Sequence, residues 1–276
     1  MEQEEHAIII AALSTLAPPQ LSDLTHSILS QTLHHHHRLS SLLSSPSSFS
    51  LAIHHLQSLS LSHKTLLIAN HLLSSLNHLT RHFHPQPLPA TIKHRDLDAA
   101  LLLLLLCDVH QENPEILAAP RSEWREVLSK RCSDIMLDHS SIGVYYGGVL
   151  LPYIEMIVRC WKFVNGTGGC VGKEGREVAA SPAAVVALPT VEVKGGGGGG
   201  GDGGGECGIC KENMRRGRDV CELPCKHLFH WMCILPWLTK RNTCPYCRFE
   251  LPTEDAFGEI QRLWNLLIKK GGAEHV

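Results

Sequence analysis

Between residues 207 and 247 the chain carries seven of its eleven cysteines and two histidines at short, regular spacings. Leaving Cys221 aside, the run reads Cys207-Gly-Ile-Cys210, then after 14 residues Cys225-Lys-His227-Leu-Phe-His230-Trp-Met-Cys233, then after ten more Cys244-Pro-Tyr-Cys247. These eight nitrogen and sulfur donors make two complete four-ligand sets of the kind zinc prefers, so the chain is expected to take two Zn2+. Each short spacing supplies half a site, and neither half is stable without a distant partner. Metal binding is then folding energy for a segment of about 45 residues, too small to rest on an apolar core. With every position filled by protein, no ligand is left open for water, which argues against a hydrolytic zinc enzyme.

The other four cysteines, Cys107, Cys132, Cys160 and Cys170, show no pair spacing. The acidic opening Met1-Glu2-Gln3-Glu4-Glu5 lacks the positive charge of secretory signals and the arginines of transit peptides, so import into an organelle is not expected. Clustered Cys and His then point to metal in a reducing compartment more than to disulfides. The most apolar run, Ala99 to Cys107, is far shorter than the roughly 20 residues a spanning helix needs, and no transmembrane span is expected. A formal net charge of -2 gives no broad basic surface, so no nucleic-acid partner is expected either.

The fold class expected is mostly α. Apolar residues make up 43% of the chain but aromatics only 5%, and the apolar share is largely Leu, Ala, Ile and Val. From His63 to Phe83 the residues Leu66, Ala69, Leu72, Leu73, Leu76, Leu79 and Phe83 recur at three- and four-residue steps. Trp124, Val127, Leu128, Cys132 and Ile135 repeat the pattern, as do Tyr153, Ile154, Ile157, Val158 and Trp161, with Pro152 expected in a first turn. Pro46, the 85–89 proline stretch, Pro114 and Pro120 supply breaks. Residues 1–165 are therefore expected to form a helical domain. Fourteen of the 19 histidines precede residue 95, and His34 to His37 stand in a row. Four consecutive side chains point in different directions and cannot share one tetrahedral site, so this tract reads as a polar low-complexity stretch or a solvated helix face.

Residues 166–205 are expected to be a disordered Gly-rich linker. Gly195 to Gly201 is an unbroken glycine run, with three more glycines after Asp202. As a flexible coil, about 40 residues reach roughly 35 Å end to end, giving a tethered module wide freedom. A phosphate cradle is not indicated, because no Lys-Ser/Thr follows the run. The zinc domain is placed at 206–252. An amphipathic helix follows at 253–271, with Phe257, Ile260, Leu263, Trp264 and Leu267 on one face, Glu254 and Asp255 near its start, Lys269 and Lys270 near its end, and Gly271 available to terminate it. Its face can pack on the zinc domain, join two copies or hold a partner.

Two registers fit the zinc spacing. Cys221 and Cys225 could replace Cys225 and His227, which gives the ligand order of a PHD-type histone-reader finger. The order Cys, Cys, Cys, His, His, Cys, Cys, Cys with these gaps resembles instead the RING-H2 class of E3 ubiquitin ligases. That resemblance implies a cross-brace, with Cys207, Cys210, His230 and Cys233 on one zinc and Cys225, His227, Cys244 and Cys247 on the other. It implies an α+β zinc module that presents an apolar groove to a ubiquitin-charged E2 enzyme. Ile209, Trp237 and Pro245 match the E2-contacting positions, and Arg248 matches the residue that hydrogen-bonds both E2 and ubiquitin, a role suited to a planar five-donor fork. Transfer would run directly from E2 to a substrate lysine. Cys221 has no paired base nearby to make it a nucleophile, and a non-catalytic zinc scaffold would share the same ligands. Leu24-Thr-His-Ser-Ile-Leu29, Leu67-Ile-Ala-Asn-His-Leu-Leu73 and Ile260-Gln-Arg-Leu-Trp264, in a helical region followed by a glycine run and a C-terminal RING-H2, resemble the plant amyloplast-associated RING ligases linked to shoot gravitropism. This implies a place on the cytosolic face of plastids, with a protein substrate held by the helical domain.

Overall fold

A computed structural model describes residues 2–83, 92–115, 120–141, 146–167, 178–191, 206–214 and 219–272. The chain divides into two compact units, one of residues 1–171 with 263–276, the other of residues 172–262.

Among the described residues of the first unit the regular elements are all helices: α1 (Glu2–Ser14), α2 (Pro18–Ser44), α3 (Pro46–Ser58), α4 (Leu61–Thr80), α5 (His94–Glu112), α6 (Arg121–Ser141) and α7 (Tyr146–Gly166). Local chemistry sets the boundaries. Ser45 turns extended before Pro46 and its hydroxyl accepts the Ser48 amide, while the Ser60 hydroxyl accepts that of His63, so each satisfies an orphan N–H at a helix start. The break expected at Pro46 is present. The breaks expected between 85 and 89 lie outside the described residues.

Helix α4 packs on α5 and α7, and α2 packs on α3, α5, α6 and α7. Helix α4 is buried around much of its girth: Ile68, Ala69, Leu72, Leu76 and Leu79 are all within 1% of full burial, whereas Leu66, expected inside, is 40% exposed. Two polar residues on the buried side, Thr65 and Thr80, satisfy themselves through carbonyls one turn back, at Leu61 and Leu76. The Arg38 guanidinium clamps Asp98 through two bonds of 2.9 and 2.8 Å, which joins α2 to α5. Within α7, Tyr153, Ile154, Ile157, Val158 and Trp161 are buried as their spacing predicts. Pro152 is not in a first turn; it lies inside α7, which begins at Tyr146. A proline there forgoes one intrahelical bond, and the helix runs on past it with its apolar face buried.

The second unit holds α8 (Pro182–Val186), β1 (Thr190–Val191), β2 (Val220–Glu222), β3 (Leu228–His230) and α9 (Trp231–Leu238). The three strands form one antiparallel sheet in the order β1-β2-β3. Its core gathers Cys207, Val220, Leu223, Phe229, Ile234, Leu238, Cys244 and Leu251 with Ala180 and Leu188. The continuous coil expected from 166 to 205 therefore does not hold for 178–191. The Ala180 amide donates to Leu238, the Ser181 amide to Pro252, the Glu222 amide to Pro189, and the Trp231 indole to the Thr190 hydroxyl. The glycine run of 195–201 lies outside the described residues.

Helix α10 (Ala256–Gly272) begins in the second unit. The Asp255 carboxylate accepts the Phe257 amide at its start, and Glu259, buried, accepts the Thr253 amide and pairs with Arg262. Its residues from Leu263 on belong to the first unit, where the Trp264 ring stacks on Trp161 with centroids 4.2 Å apart and planes 6° from parallel.

Candidate metal centre

Among the described residues three non-glycines adopt positive φ, and all three sit at zinc half-sites: Lys211 (62°), Lys226 (67°) and Arg248 (58°). After each Cys-x-x-Cys the chain curls back, so that the amides of Lys211 and Arg248 donate to the carbonyls of Cys207 and Cys244, at 2.8 and 3.0 Å. The left-handed turn costs a side-chain-bearing residue about 1 kcal/mol or more. Here it aims both thiols of a knuckle at one point. In the turn between β2 and β3, Lys226 plays the same part for Cys225 and His227. His230, last residue of β3 and cap of α9, stands one helical turn before Cys233.

The result is two groups of four side chains, Cys207, Cys210, His230 and Cys233 in one, and Cys225, His227, Cys244 and Cys247 in the other, with all donor atoms of a group within 4.8 Å of one another. His230 Nδ1 lies 3.4 Å from Cys210 Sγ, and His227 Nδ1 lies 3.3 Å from Cys225 Sγ and 3.7 Å from Cys244 Sγ. In a tetrahedron built on Zn–N and Zn–S bonds of about 2.0 and 2.3 Å the N–S edge is roughly 3.5 Å, and these separations lie within about 0.2 Å of it. His230 Nε2 is buried without a hydrogen-bond partner among the described residues, which leaves Nδ1 to carry the ring's function. Crowding of the free thiols splits their acidities. Burial and neighbouring thiols push Cys225 and Cys233 up to about 12, whereas Cys207 and Cys247, against the cost of burial, are held below the ordinary value by backbone amides. Two zinc ions are what this donor set takes.

Cys221 belongs to neither group. It is fully buried on β2, paired with Thr190 and Phe229, and burial pushes its thiol up to about 11. The reader-finger register, which needs Cys221 as a ligand, is not the arrangement found.

Ile209 sits inside the first knuckle and Trp237 on α9, both half-buried against the zinc-domain core, and Pro245 inside the second knuckle is also half-buried. The Trp237 indole donates to the Thr243 carbonyl at 2.7 Å, and the Arg241 guanidinium lies 4.9 Å from its ring centroid. That ring is held in place. Arg248 is exposed, and among the described residues its side chain has no hydrogen bond or ion pair.

Two further residues carry the site and were not anticipated. A Cβ on Gly208 would come within 2.4 Å of the Tyr246 ring, so each knuckle packs directly on the other's neighbourhood. Tyr246 also faces the rings of His227 and Phe229, at 5.3 and 5.4 Å. The available signal was a small residue in one Cys-x-x-Cys and an aromatic in the other.

A Ring finger domain model matches residues 205–248. Along 98% of its length the chain is 53% identical to the Arabidopsis thaliana "E3 ubiquitin-protein ligase SGR9, amyloplastic", covering 98% of that protein. This chain is a RING-type E3 ubiquitin ligase. Shorter matches include 60% identity to the Arabidopsis thaliana "E3 ubiquitin-protein ligase AIP2" over 30% of this chain and 27% of that one, and 45% to the Drosophila melanogaster "E3 ubiquitin-protein ligase RNF181 homolog" over 30% and 55%. The ligase pairs its Ring finger module with a helical unit, and the Arabidopsis thaliana relative matched along 98% of the chain spans both. Among the described residues no helix is long and apolar enough to cross a membrane.

Proposed function

We propose that Cys207, Cys210, His230 and Cys233 hold one zinc ion and Cys225, His227, Cys244 and Cys247 the other, and that the surface they shape docks a ubiquitin-charged E2 through Ile209, Trp237 and Pro245. Bound zinc supplies cross-links between distant chain segments, and no ligand position is kept for a reacting water. The observation that carries the reading is the partial exposure of Ile209 and of a fixed Trp237 directly beside complete four-donor groups. In a module this small such residues act as interface anchors.

Arg248, with a side chain free of intramolecular ties among the described residues, bridges E2 and ubiquitin. It holds the thioester where a substrate lysine meets it in line, so that rate comes from positioning. No cysteine of this chain takes ubiquitin. The helical unit holds the protein substrate, and the ligase works on the cytosolic surface of plastids, a reading supported by the amyloplastic relative.

The test is discharge of E2-bound ubiquitin by purified chain, E1 and a panel of E2 enzymes. Trp237→Ala and Arg248→Ala are expected to slow discharge at least about tenfold, a loss of roughly 1.4 kcal/mol in the productive complex, while both retain two zinc ions per chain. Full activity in both variants would overturn the groove and the bridging arginine.

A further inference from the structure

We propose that the helical unit binds a small uncharged molecule, an apolar ring-sized body carrying one hydroxyl or carbonyl group, in a cavity where that group hydrogen-bonds His71. The cavity has a volume of about 200 Å3 and is lined from α2, α4, α5, α6 and α7. Much of the wall is apolar, as at Leu39, Leu104, Val149 and Met156. The cavity is partly open to solvent, and its concave, mostly apolar wall drawn from five helices suits a compact small molecule.

His71 marks the polar end. It is 2% exposed, its ring lies 5.4 Å from that of His35, and neither of its nitrogens hydrogen-bonds a described residue. Lining the cavity with no hydrogen bond of its own to a described residue, the neutral imidazole offers a ligand one donor and one acceptor. Thr32 and His35 stand in the same wall, likewise without a hydrogen bond to a described residue, whereas its other polar groups are engaged. Tyr153 donates between Gln31 and the Ser75 carbonyl, Asp108 accepts from Arg159 at 2.5 Å, and Cys132 Sγ lies 3.7 Å from His36 Nδ1.

The same inventory sets the ligand's charge. Burial first, then the neighbouring His71, His34 and Arg38, holds His35 at about 3, and burial alone holds His71 at about 4. Both rings are neutral near pH 7, and the one carboxylate is matched by Arg159. A charged ligand would find no counter-ion. An apolar cavity of about 150 Å3 accepts benzene, so the volume here takes one ring with a substituent or two.

The experiment titrates the histidine-labelled full chain with four probes of one shape, p-cresol, toluene, p-toluate and 4-methylbenzylammonium, while the His71 imidazole resonances are followed by NMR. Saturable movement of the His71 signals by p-cresol is expected, with the other three at least about tenfold weaker. His71→Phe, which keeps ring bulk and removes the hydrogen bond, is expected to weaken p-cresol about tenfold and leave toluene unchanged. Unmoved His71 signals, equal binding of toluene, or preference for a charged probe would each overturn the proposal, and all are read on the unsubstituted chain. Ubiquitin transfer is not a readout, so the result leaves the ligase reading untouched.

Discussion

Gly208 and Tyr246 show how single residues set the geometry of the zinc module. The knuckles close on one another only because nothing projects from position 208. In Gly208→Ala the added methyl has to displace the Tyr246 ring, which then loses its contacts with His227 and Phe229. The expected cost is about 1 kcal/mol, seen as faster loss of zinc to a chelator, and Tyr246→Ala in the same chain should remove most of the extra penalty. Additive effects of the two substitutions would show that the ring was never the obstacle. The eight donors themselves were legible in the sequence because zinc dictates residue type and spacing together. The role of Gly208 was not, since it depends on an approach between residues 38 positions apart.

Elements were legible to the extent that their stability is local. α7 and the buried face of α10 follow the spacing of their apolar residues, and the helix-breaking role of Pro46 follows from its ring. The spacing misled at Leu66, because α4 is surrounded and turns polar residues such as His71 and Thr80 inward. α8 and β1 escaped for the opposite reason: each is too short for periodicity, and partners at Glu222, Trp231, Leu238 and Pro252 hold them. Two neighbouring residues of this segment separate structure from mere apolarity. Leu188 is 8% exposed within the zinc-domain core, while Val186 is 84% exposed. In urea unfolding of the full chain followed by zinc release, Leu188→Ala is expected to cost about 2–3 kcal/mol and Val186→Ala less than about 0.5. Equal effects would mean that 178–191 contributes nothing to the zinc module.

For the molecule as a whole, the two units answer to pH through different chemistry. The zinc module loses its metal when acid protonates its thiolates. The helical unit instead carries imidazoles that stay neutral inside: His35 at about 3, His71 at about 4, and His78 below its ordinary value, each through burial first. In the unfolded chain all three titrate near 6.5. Below that pH the unfolded state binds protons that the folded state refuses, so stability is fully present above about 6.5 and is lost as pH falls toward 4. Each neutral imidazole steepens the loss by up to about 1.4 kcal/mol per pH unit. The Asp108 carboxyl, raised by burial and opposed by Arg159, works the other way at the acid end of this range. Arg38, His34 and Arg81 stay outside the count as nearby charges or potential charges that only help hold the buried rings neutral. The double variant His35→Leu/His71→Leu keeps every zinc ligand and removes two of the three titrating rings. Its stability, measured by denaturant unfolding at steps between pH 7 and pH 4.5, is expected to fall less steeply than that of the unsubstituted chain, by a slope approaching two protons. Parallel slopes would mean that both imidazoles are protonated in the folded protein, and that the interior between α2 and α4 is wetter than their burial implies.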